Sequence, residues 1–223
     1  MIVLHEFLWI VYLIISVIVS LLSTIIYRKI AISRSILSNP NFRTLHVSPI
    51  PVGGGIVFSV VFIIELLYLW CLNQLSNHLF LVLAIGGGVA TLFGFLDDLH
   101  DVRAKKKLAV QILLGGWVVF WLDGRSLFYF EWLPSLISIP VELLFLVWMM
   151  NAYNFIDGID GMAVSGAVFI SATMIGVLLW TSPESEFILI MALLLSSTLA
   201  FMLFNWPPAS IFMGDAGSVF LGY

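Results

Sequence analysis

Long apolar runs are the feature that most constrains what this chain folds into. Hydrophobic residues make up 61% of the 223 residues and charged residues only 10%, against about 25% charged residues in a typical soluble domain. A core cannot absorb such an excess, because surface grows along with volume. In lipid the backbone must be paired within the protein, and apolar runs without alternation favour helices over a barrel. The sequence therefore predicts an all-α, polytopic bundle of transmembrane helices.

About seven runs approach the length that a helix needs to cross a bilayer. We predict helices near residues 7–26, 54–72, 79–96, 108–122, 139–152, 162–180 and 187–204, with an eighth starting at about residue 218. No repeat or linker divides the chain, which indicates a single domain over residues 1–223. The first run lacks the preceding basic residues and the cleavage site of a signal peptide. It is therefore predicted to be a retained helix.

The distribution of charge predicts the orientation. Eight of the nine Lys and Arg residues fall in two predicted loops, 27–53 and 97–107. Two predicted helices separate these loops, which therefore share a side, and short basic loops mark the cytoplasm. The N-terminus is then outside. Six aspartates fall in loops on the cytoplasmic side, whereas the glutamates do not: Asp97, Asp98, Asp101, Asp157, Asp160 and Asp215. Carboxylates gathered from three loops indicate a metal or phosphate site at the inner surface.

The first segment that carries chemistry is the pair Asp97 and Asp98, followed by lysines at 105–107. Two adjacent carboxylates do not both ionise cheaply without a cation nearby, and Mg²⁺ prefers carboxylate oxygens. Neighbouring helical side chains diverge by about 100°, so one aspartate would face a metal while the other accepts a proton. A structural alternative, in which the pair and the lysines cap a helix at the membrane interface, fits this segment equally well.

The second segment places amides and carboxylates at every third position, at Asn151, Asn154, Asp157 and Asp160. A straight α-helix would spread them over about half its circumference, whereas a tighter turn would align them. Such side chains suit a sugar, a ribose or a cation. The alternative is an ordinary loop with Asn and Asp as turn formers.

Two further segments could hold phosphate. Asp215 opens a predicted helix, and a helix start offers free N–H groups to phosphate, although Asp215 could equally be only an N-cap. Arg43 and His46 lie in a loop rich in proline and glycine, residues 39–55. They suit phosphate, or the anionic inner leaflet of the membrane.

Together, the four segments resemble the polyprenyl-phosphate N-acetylhexosamine-1-phosphate transferases, relatives of the phospho-N-acetylmuramoyl-pentapeptide transferase. The likeness occurs in the family's order and is carried by Pro40-Asn41-x-Arg43-x-x-His46 with Pro49-x-Pro51-x-Gly53-Gly54, by Asp97-Asp98, by Asn151-x-x-Asn154-x-x-Asp157-Gly158-x-Asp160-Gly161, and by Gly214-Asp215-Ala-Gly217-Ser218.

The resemblance implies transfer of N-acetylhexosamine 1-phosphate from a UDP-N-acetylhexosamine to undecaprenyl phosphate with release of UMP. This step would start O-antigen, lipopolysaccharide or another cell-wall or surface glycan. The family's roles imply Mg²⁺, with Mn²⁺ as an alternative, held by Asp215 with Asp98, and Asp97 or Asp98 as the proton acceptor. Substrate binding is expected of Asn151, Asn154, Asp157, Asp160, Arg43, His46 and Lys107.

The resemblance also implies a bacterial inner-membrane protein with its active site on the cytoplasmic face and no nucleic-acid partner, and it leaves a homodimer open. Relatives continue past the position of Tyr223, so the C-terminal part of the family domain is expected to be missing. An inactive or accessory fragment that binds substrate is therefore the alternative function. A transporter fits less well, because its carboxylates would lie at mid-membrane.

Overall fold

The computed structural model describes residues 2–40, 48–121 and 134–223. Within them, the strands are β1 (Leu37–Ser38) and β2 (Ile50–Pro51), which form an antiparallel pair. The helices are α1 (Ile2–Ser33), α2 (Gly55–Cys71), α3 (Asn77–Leu79), α4 (Gly87–His100), α5 (Ala104–Trp121), α6 (Ser135–Ile156), α7 (Met162–Thr181), α8 (Phe187–Asn205) and α9 (Asp215–Gly222).

Five helical segments of the described chain are long and apolar enough to cross a membrane. They are Trp9–Ser33, Asn77–His100, Leu136–Ile156, Met162–Thr181 and Phe187–Asn205, and α2 is a shorter apolar helix. The predicted all-α, polytopic membrane architecture is confirmed.

The helices extend further than the apolar runs predict. α1 continues to Ser33 instead of ending near residue 26, so Arg28 and Lys29 are helical. Their apolar stems let the charged groups reach water from within a helix. α5 begins at Ala104, inside the lysine run, and α6 covers Ser135–Ile156 instead of 139–152.

The prediction that Asp97 and Asp98 lie in a loop is wrong. α4 continues to His100, and both aspartates are helical. Asp97 is only 5% exposed, but its Oδ1 accepts a hydrogen bond from the Val102 N–H (2.7 Å). A buried carboxylate with partners of this kind does not have to leave the helix for water. α9 begins at Asp215, which opens this helix as expected, and so starts earlier than the apolar run near residue 218 predicts.

A π-helical segment, Phe80–Gly86, joins α3 to α4 in one continuous rod. Hydrogen bonds in a π turn run from i to i+5, so the turn is wider than an α turn. Neighbouring side chains donate to two of its carbonyls: the Trp117 indole to Leu81 (3.0 Å) and the Tyr223 hydroxyl to Val82 (3.0 Å). The segment is thereby tied to α5 and to the end of α9.

The short helix α9 packs against α2, α4 and α6, and two glycines allow this close approach. A Cβ at Gly55 would lie 2.2 Å from the Gly217 Cα, and a Cβ at Gly94 would lie 2.1 Å from the Asp215 carbonyl oxygen. Both distances are far inside van der Waals contact. The backbones of α2 and α4 therefore touch α9 at Gly55 and Gly94, because these two residues have no side chain.

Phenylalanines fill the core where α2, α8 and α9 meet. The rings of Phe58 and Phe201 lie 5.3 Å apart, and those of Phe58 and Phe220 lie 6.1 Å apart. Both distances fall in the range in which aromatic pairs attract each other. This packing fixes α9 so that its first residue, Asp215, lies at the end of the bundle where α4 and α6 finish.

Candidate active site

The two aspartates at the end of α4 point in different directions, as consecutive helical residues must. The Asp97 carboxylate forms an ion pair with Lys107 at the start of α5 and holds the Val102 N–H. Asp98 faces α9 instead. The Asp97–Asp98 pair therefore connects α4 to two separate elements.

Asp98 binds the N-terminus of α9 with both of its oxygens. Its Oδ1 accepts from the Asp215 N–H (2.8 Å) and its Oδ2 from the Ala216 N–H (3.1 Å). These are free donors at a helix start, where the helix dipole also favours a negative charge. Gly214, with φ +73°, provides space for the Asp98 carboxylate, because a Cβ there would lie 2.6 Å from the Asp98 oxygens. Asp98 thus sets the position of Asp215.

Both oxygens of Asp215 are also engaged. Its Oδ1 accepts from the Asn154 amide (2.5 Å), which also contacts the Ser218 hydroxyl (3.1 Å). Its Oδ2 lies 3.1 Å from the Lys107 Nζ. Lys107 therefore bridges Asp97 and Asp215, so that one ammonium group neutralises two carboxylates from different helices.

Asp157 follows α6 directly and is half-buried in the same cluster. Burial raises the pKa of its carboxyl well above the usual range, and the negative charges of Asp98 and Asp215 raise it further. Burial likewise raises the pKa of Asp215, and its hydrogen bond with Asp97 adds to this, whereas Lys107 lowers it. Such a cluster retains protons, and a cation that binds there would displace them.

The four polar residues of the second segment do not line a single surface. α6 continues to Ile156, so Asn151 and Asn154 are helical and only the last two follow the helix. The Asn151 amide pairs with the Gln111 amide of α5 (2.8 Å), and Asp160 accepts from the Ala209 N–H (2.9 Å). Of the two arrangements considered, Asn151 and Asn154 therefore follow the straight helix, and no single tight turn aligns all four.

The predicted phosphate-binding residues Arg43 and His46 lie outside the described residues. The flank of their loop is anchored beside the site, because the Phe212 N–H donates to the Pro51 carbonyl (2.8 Å) and the Gly54 N–H donates to the Phe212 carbonyl (2.9 Å). The loop is thereby attached to the segment that leads into Asp215.

A cleft of about 530 Å³ opens beside the cluster and is lined by Asp97, Asp98, His100, Asp101, Lys107 and Asp215. Its walls are polar and carry several carboxylates around one lysine. An excess of negative charge of this kind attracts cations.

The side chains present fit a metal that is held by few protein ligands. Among residues 2–40, 48–121 and 134–223, no three His, Cys, Asp or Glu side chains are grouped as a ready metal site. Mg²⁺ often takes only one or two carboxylates together with substrate phosphates. Asp97 and Asp215 already converge on a positive charge, that of Lys107. Each Asp98 oxygen accepts one N–H of α9 and keeps a second lone pair for a cation.

Three polar residues of this region were missed from the sequence. Gln111 pairs with Asn151, Ser218 contacts Asn154, and Asn205 is a buried amide at the end of α8 that joins two loops. Gln111 could have been noticed as a lone amide in the apolar run after the lysines. Ser218 and Asn205 stand inside or beside the quoted motifs, but their spacing does not indicate what they contact.

Curated proteins similar to this chain are bacterial transferases. It is 29% identical over 218 residues to a probable undecaprenyl-phosphate N-acetylglucosaminyl 1-phosphate transferase of Bacillus subtilis, covering 94% of this chain and 59% of the relative. It is 35% identical over 191 residues to a phospho-N-acetylmuramoyl-pentapeptide-transferase of Streptococcus pneumoniae, and the match covers 77% of this chain and 56% of the relative. The Streptococcus equi enzyme of the same name is 34% identical over 196 residues, with the same coverage. The chain thus spans less than two thirds of these relatives.

The sequence profile of glycosyl transferase family 4 matches residues 80–223. The match includes α4 with its aspartate pair, Lys107, the end of α6 and the start of α9, which are the elements that build the cluster. The family resemblance predicted from the motifs is confirmed, and the chain belongs to glycosyl transferase family 4.

Proposed function

We propose that this protein transfers N-acetylhexosamine 1-phosphate from a UDP-sugar to undecaprenyl phosphate in the synthesis of a cell-wall or surface glycan, O-antigen among them. The observation that carries the proposal is the convergence of Asp97, Asp98, Asp157 and Asp215 with Lys107 beside a polar cleft, at one end of a membrane bundle. The named activities of the relatives support it.

In this reaction an oxygen of the lipid phosphate attacks the β-phosphorus of the UDP-sugar. The bond from that phosphorus to the bridging oxygen breaks, and UMP leaves with the oxygen. Such a transfer depends mainly on positioning and on neutralising charge. A lipid substrate with its phosphate at the interface, and a soluble nucleotide, can meet only at the end of the bundle, which is where the cluster lies.

The side chains of the cluster suit three tasks. Lys107, already held between two carboxylates, is placed to bind phosphate oxygens. The Asp97–Asp98 pair is assigned the proton-accepting role. Asp215 is assigned to Mg²⁺ with Asp98, and Asp97 is a further ligand candidate, because it converges with Asp215 on Lys107. When bound, Mg²⁺ would neutralise the diphosphate.

The test is UMP release from radiolabelled UDP-sugars by membranes that contain this chain, with and without undecaprenyl phosphate. We expect release that requires both the lipid phosphate and a divalent cation, with one UDP-N-acetylhexosamine preferred over UDP-glucose. Release that is independent of the lipid would refute the transfer. Binding of a UDP-sugar without release would favour the accessory, substrate-binding function.

We also propose that the cluster faces the cytoplasm of a bacterial cell, as Arg103 and the lysines in the first turn of α5 indicate. In a Cys71→Ser background, Lys106→Cys marks this end of the bundle and Glu184→Cys marks the opposite loop, and both native side chains are exposed. In intact cells a membrane-impermeant maleimide should label Glu184→Cys and spare Lys106→Cys until the membrane is opened. Labelling of Lys106→Cys in intact cells would reverse the orientation.

A further inference from the structure

The Asn205 side chain lies at the end of α8 and is 2% exposed, yet both ends of its amide are used. Its Oδ1 accepts a hydrogen bond from the Gly161 N–H (3.2 Å). Its Nδ2 donates to the Ile211 carbonyl (3.0 Å). One buried side chain therefore joins the turn after α6 to the segment between α8 and α9.

These two backbone stretches touch closely where Asn205 joins them. Gly161 has φ +73°, and a Cβ there would lie 3.2 Å from the Pro207 ring. Asp160, one residue earlier in the same turn, accepts from the Ala209 N–H (2.9 Å). The turn and the segment are thus held together at two neighbouring points, one through a buried amide and one through a carboxylate.

Each stretch delivers part of the acidic cluster. The turn begins at Asp157, whose carboxyl contacts the backbone of Gly214. The segment continues from Ile211, fully buried, to Asp215. A shift of one stretch against the other would change the separation between Asp157 and Asp215.

Asn205 itself does not line the cleft. Both of its hydrogen bonds go to backbone groups, so it acts on the cluster through the two stretches it connects. An amide fits this place because it supplies one acceptor and one donor from a single short side chain.

We propose that Asn205 is a positioning residue of the transferase site, which fixes the Asp157 turn against the segment that carries Asp215; the catalytic part of this proposal rests on the proposed function. Asp160 supports the same contact. The sugar-binding role that the motif implies for Asp160 stays a prediction, which this contact does not test.

The first test does not depend on activity. Hydrogen–deuterium exchange of the purified protein in detergent should show faster exchange of the Gly161 amide, and of peptides covering residues 157–161 and 209–213, in Asn205→Ala than in the wild type. Thr198→Val is the matched control, because Thr198 is buried in the same helix and, among the described residues, bonds only to the carbonyls of Leu194 and Leu195. Exchange in Asn205→Ala that equals the wild type would overturn the proposal.

The second test uses UMP release. Misplacing reactive groups by about 1 Å can cost roughly 100-fold, so we expect Asn205→Ala to lower kcat/KM by about that factor and Thr198→Val to leave it unchanged. Asn205→Asp should lose activity at neutral pH, where a carboxylate faces the Ile211 carbonyl. It should regain activity relative to the wild type at lower pH, because a protonated carboxyl again offers one donor and one acceptor.

The two arms separate the possible failures. If the wild type releases no UMP, the proposed function fails, while the exchange measurement still decides whether Asn205 holds the two stretches together. If the wild type is active and Asn205→Asp follows Asn205→Ala at every pH, the amide is not acting through its two hydrogen bonds and the proposal is refuted.

Discussion

Asp215→Asn is expected to lower UMP release by about 10²- to 10³-fold, the range seen when a preorganised electrostatic group is removed from an active site. The substitution keeps the shape of the side chain and keeps the backbone N–H that Asp98 binds (2.8 Å), so α9 should remain in place. It removes the negative charge that faces Lys107 (3.1 Å). Asparagine has one acceptor oxygen where Asp215 has two, so its N–H₂ group would face either the Asn154 amide or Lys107, both of which are donors.

The measurement is the initial rate of UMP release across a Mg²⁺ titration, made on Asp215→Asn and on Glu184→Gln. The control removes one carboxylate charge from an exposed position in the loop between α7 and α8, at the other end of the bundle. If Asp215 holds the metal, half-maximal release by Asp215→Asn will require a higher Mg²⁺ concentration than release by the wild type, whereas Glu184→Gln will keep the wild-type Mg²⁺ dependence. Release at the wild-type rate would refute the assignment of Asp215 to the metal and to the reacting charge.

Gly94→Ala is expected to destabilise the protein by about 1–3 kcal/mol or more, the usual cost of overpacking. That corresponds to roughly 2–12 °C in Tm for a chain of this length. The new Cβ would lie 2.1 Å from the Asp215 carbonyl oxygen and 2.7 Å from the Ala216 nitrogen. These are backbone atoms of α9 that cannot rotate away, so α4 and α9 would have to separate.

Gly88→Ala is the matched control in the same helix, because the nearest atom to its new Cβ is a side-chain carbon of Ile63 at 3.8 Å. Both substitutions gain the same helix propensity, about 1 kcal/mol. The difference between the Tm values of the two variants therefore isolates the contact with α9. Thermal unfolding in detergent should therefore rank Gly88→Ala at or above the wild type and Gly94→Ala below it. Equal Tm values for the two variants would show that α4 does not press on α9 at Gly94.

The membrane helices were predictable because their apolar runs are long and nearly free of charge. Their ends were not. α1 and α4 run past the predicted limits, since hydropathy treats Arg28 and Asp97 as groups that must leave the helix. Arg28 instead donates to the Ser210 carbonyl (3.1 Å), and Asp97 pairs with Lys107. The Arg28 guanidinium also stays exposed to water, whereas the buried Asp97 has Lys107 in place of water.

The residues of the site were predictable from their motifs, but the partner of each was not. Adjacency of Asp97 and Asp98 indicates that they diverge, yet nothing local shows that Asp98 binds the N-terminus of a helix 117 positions later. The three-residue spacing from Asn151 to Asp160 likewise suggested one shared ligand. α6 ends at Ile156, inside that pattern, and Asn151, Asn154 and Asp160 face α5, α9 and the segment before α9 respectively.

The π-helical segment Phe80–Gly86 sets the direction in which the side chains of α4 point around the helix axis. Adding or deleting a single residue there would swing the two halves of the rod by about 100° relative to each other. Asp98 would then turn away from α9, although the hydropathy of the span would hardly change. Two homologous chains that differ by one residue in this stretch would look alike as membrane spans, yet only one of them would aim its aspartates inward.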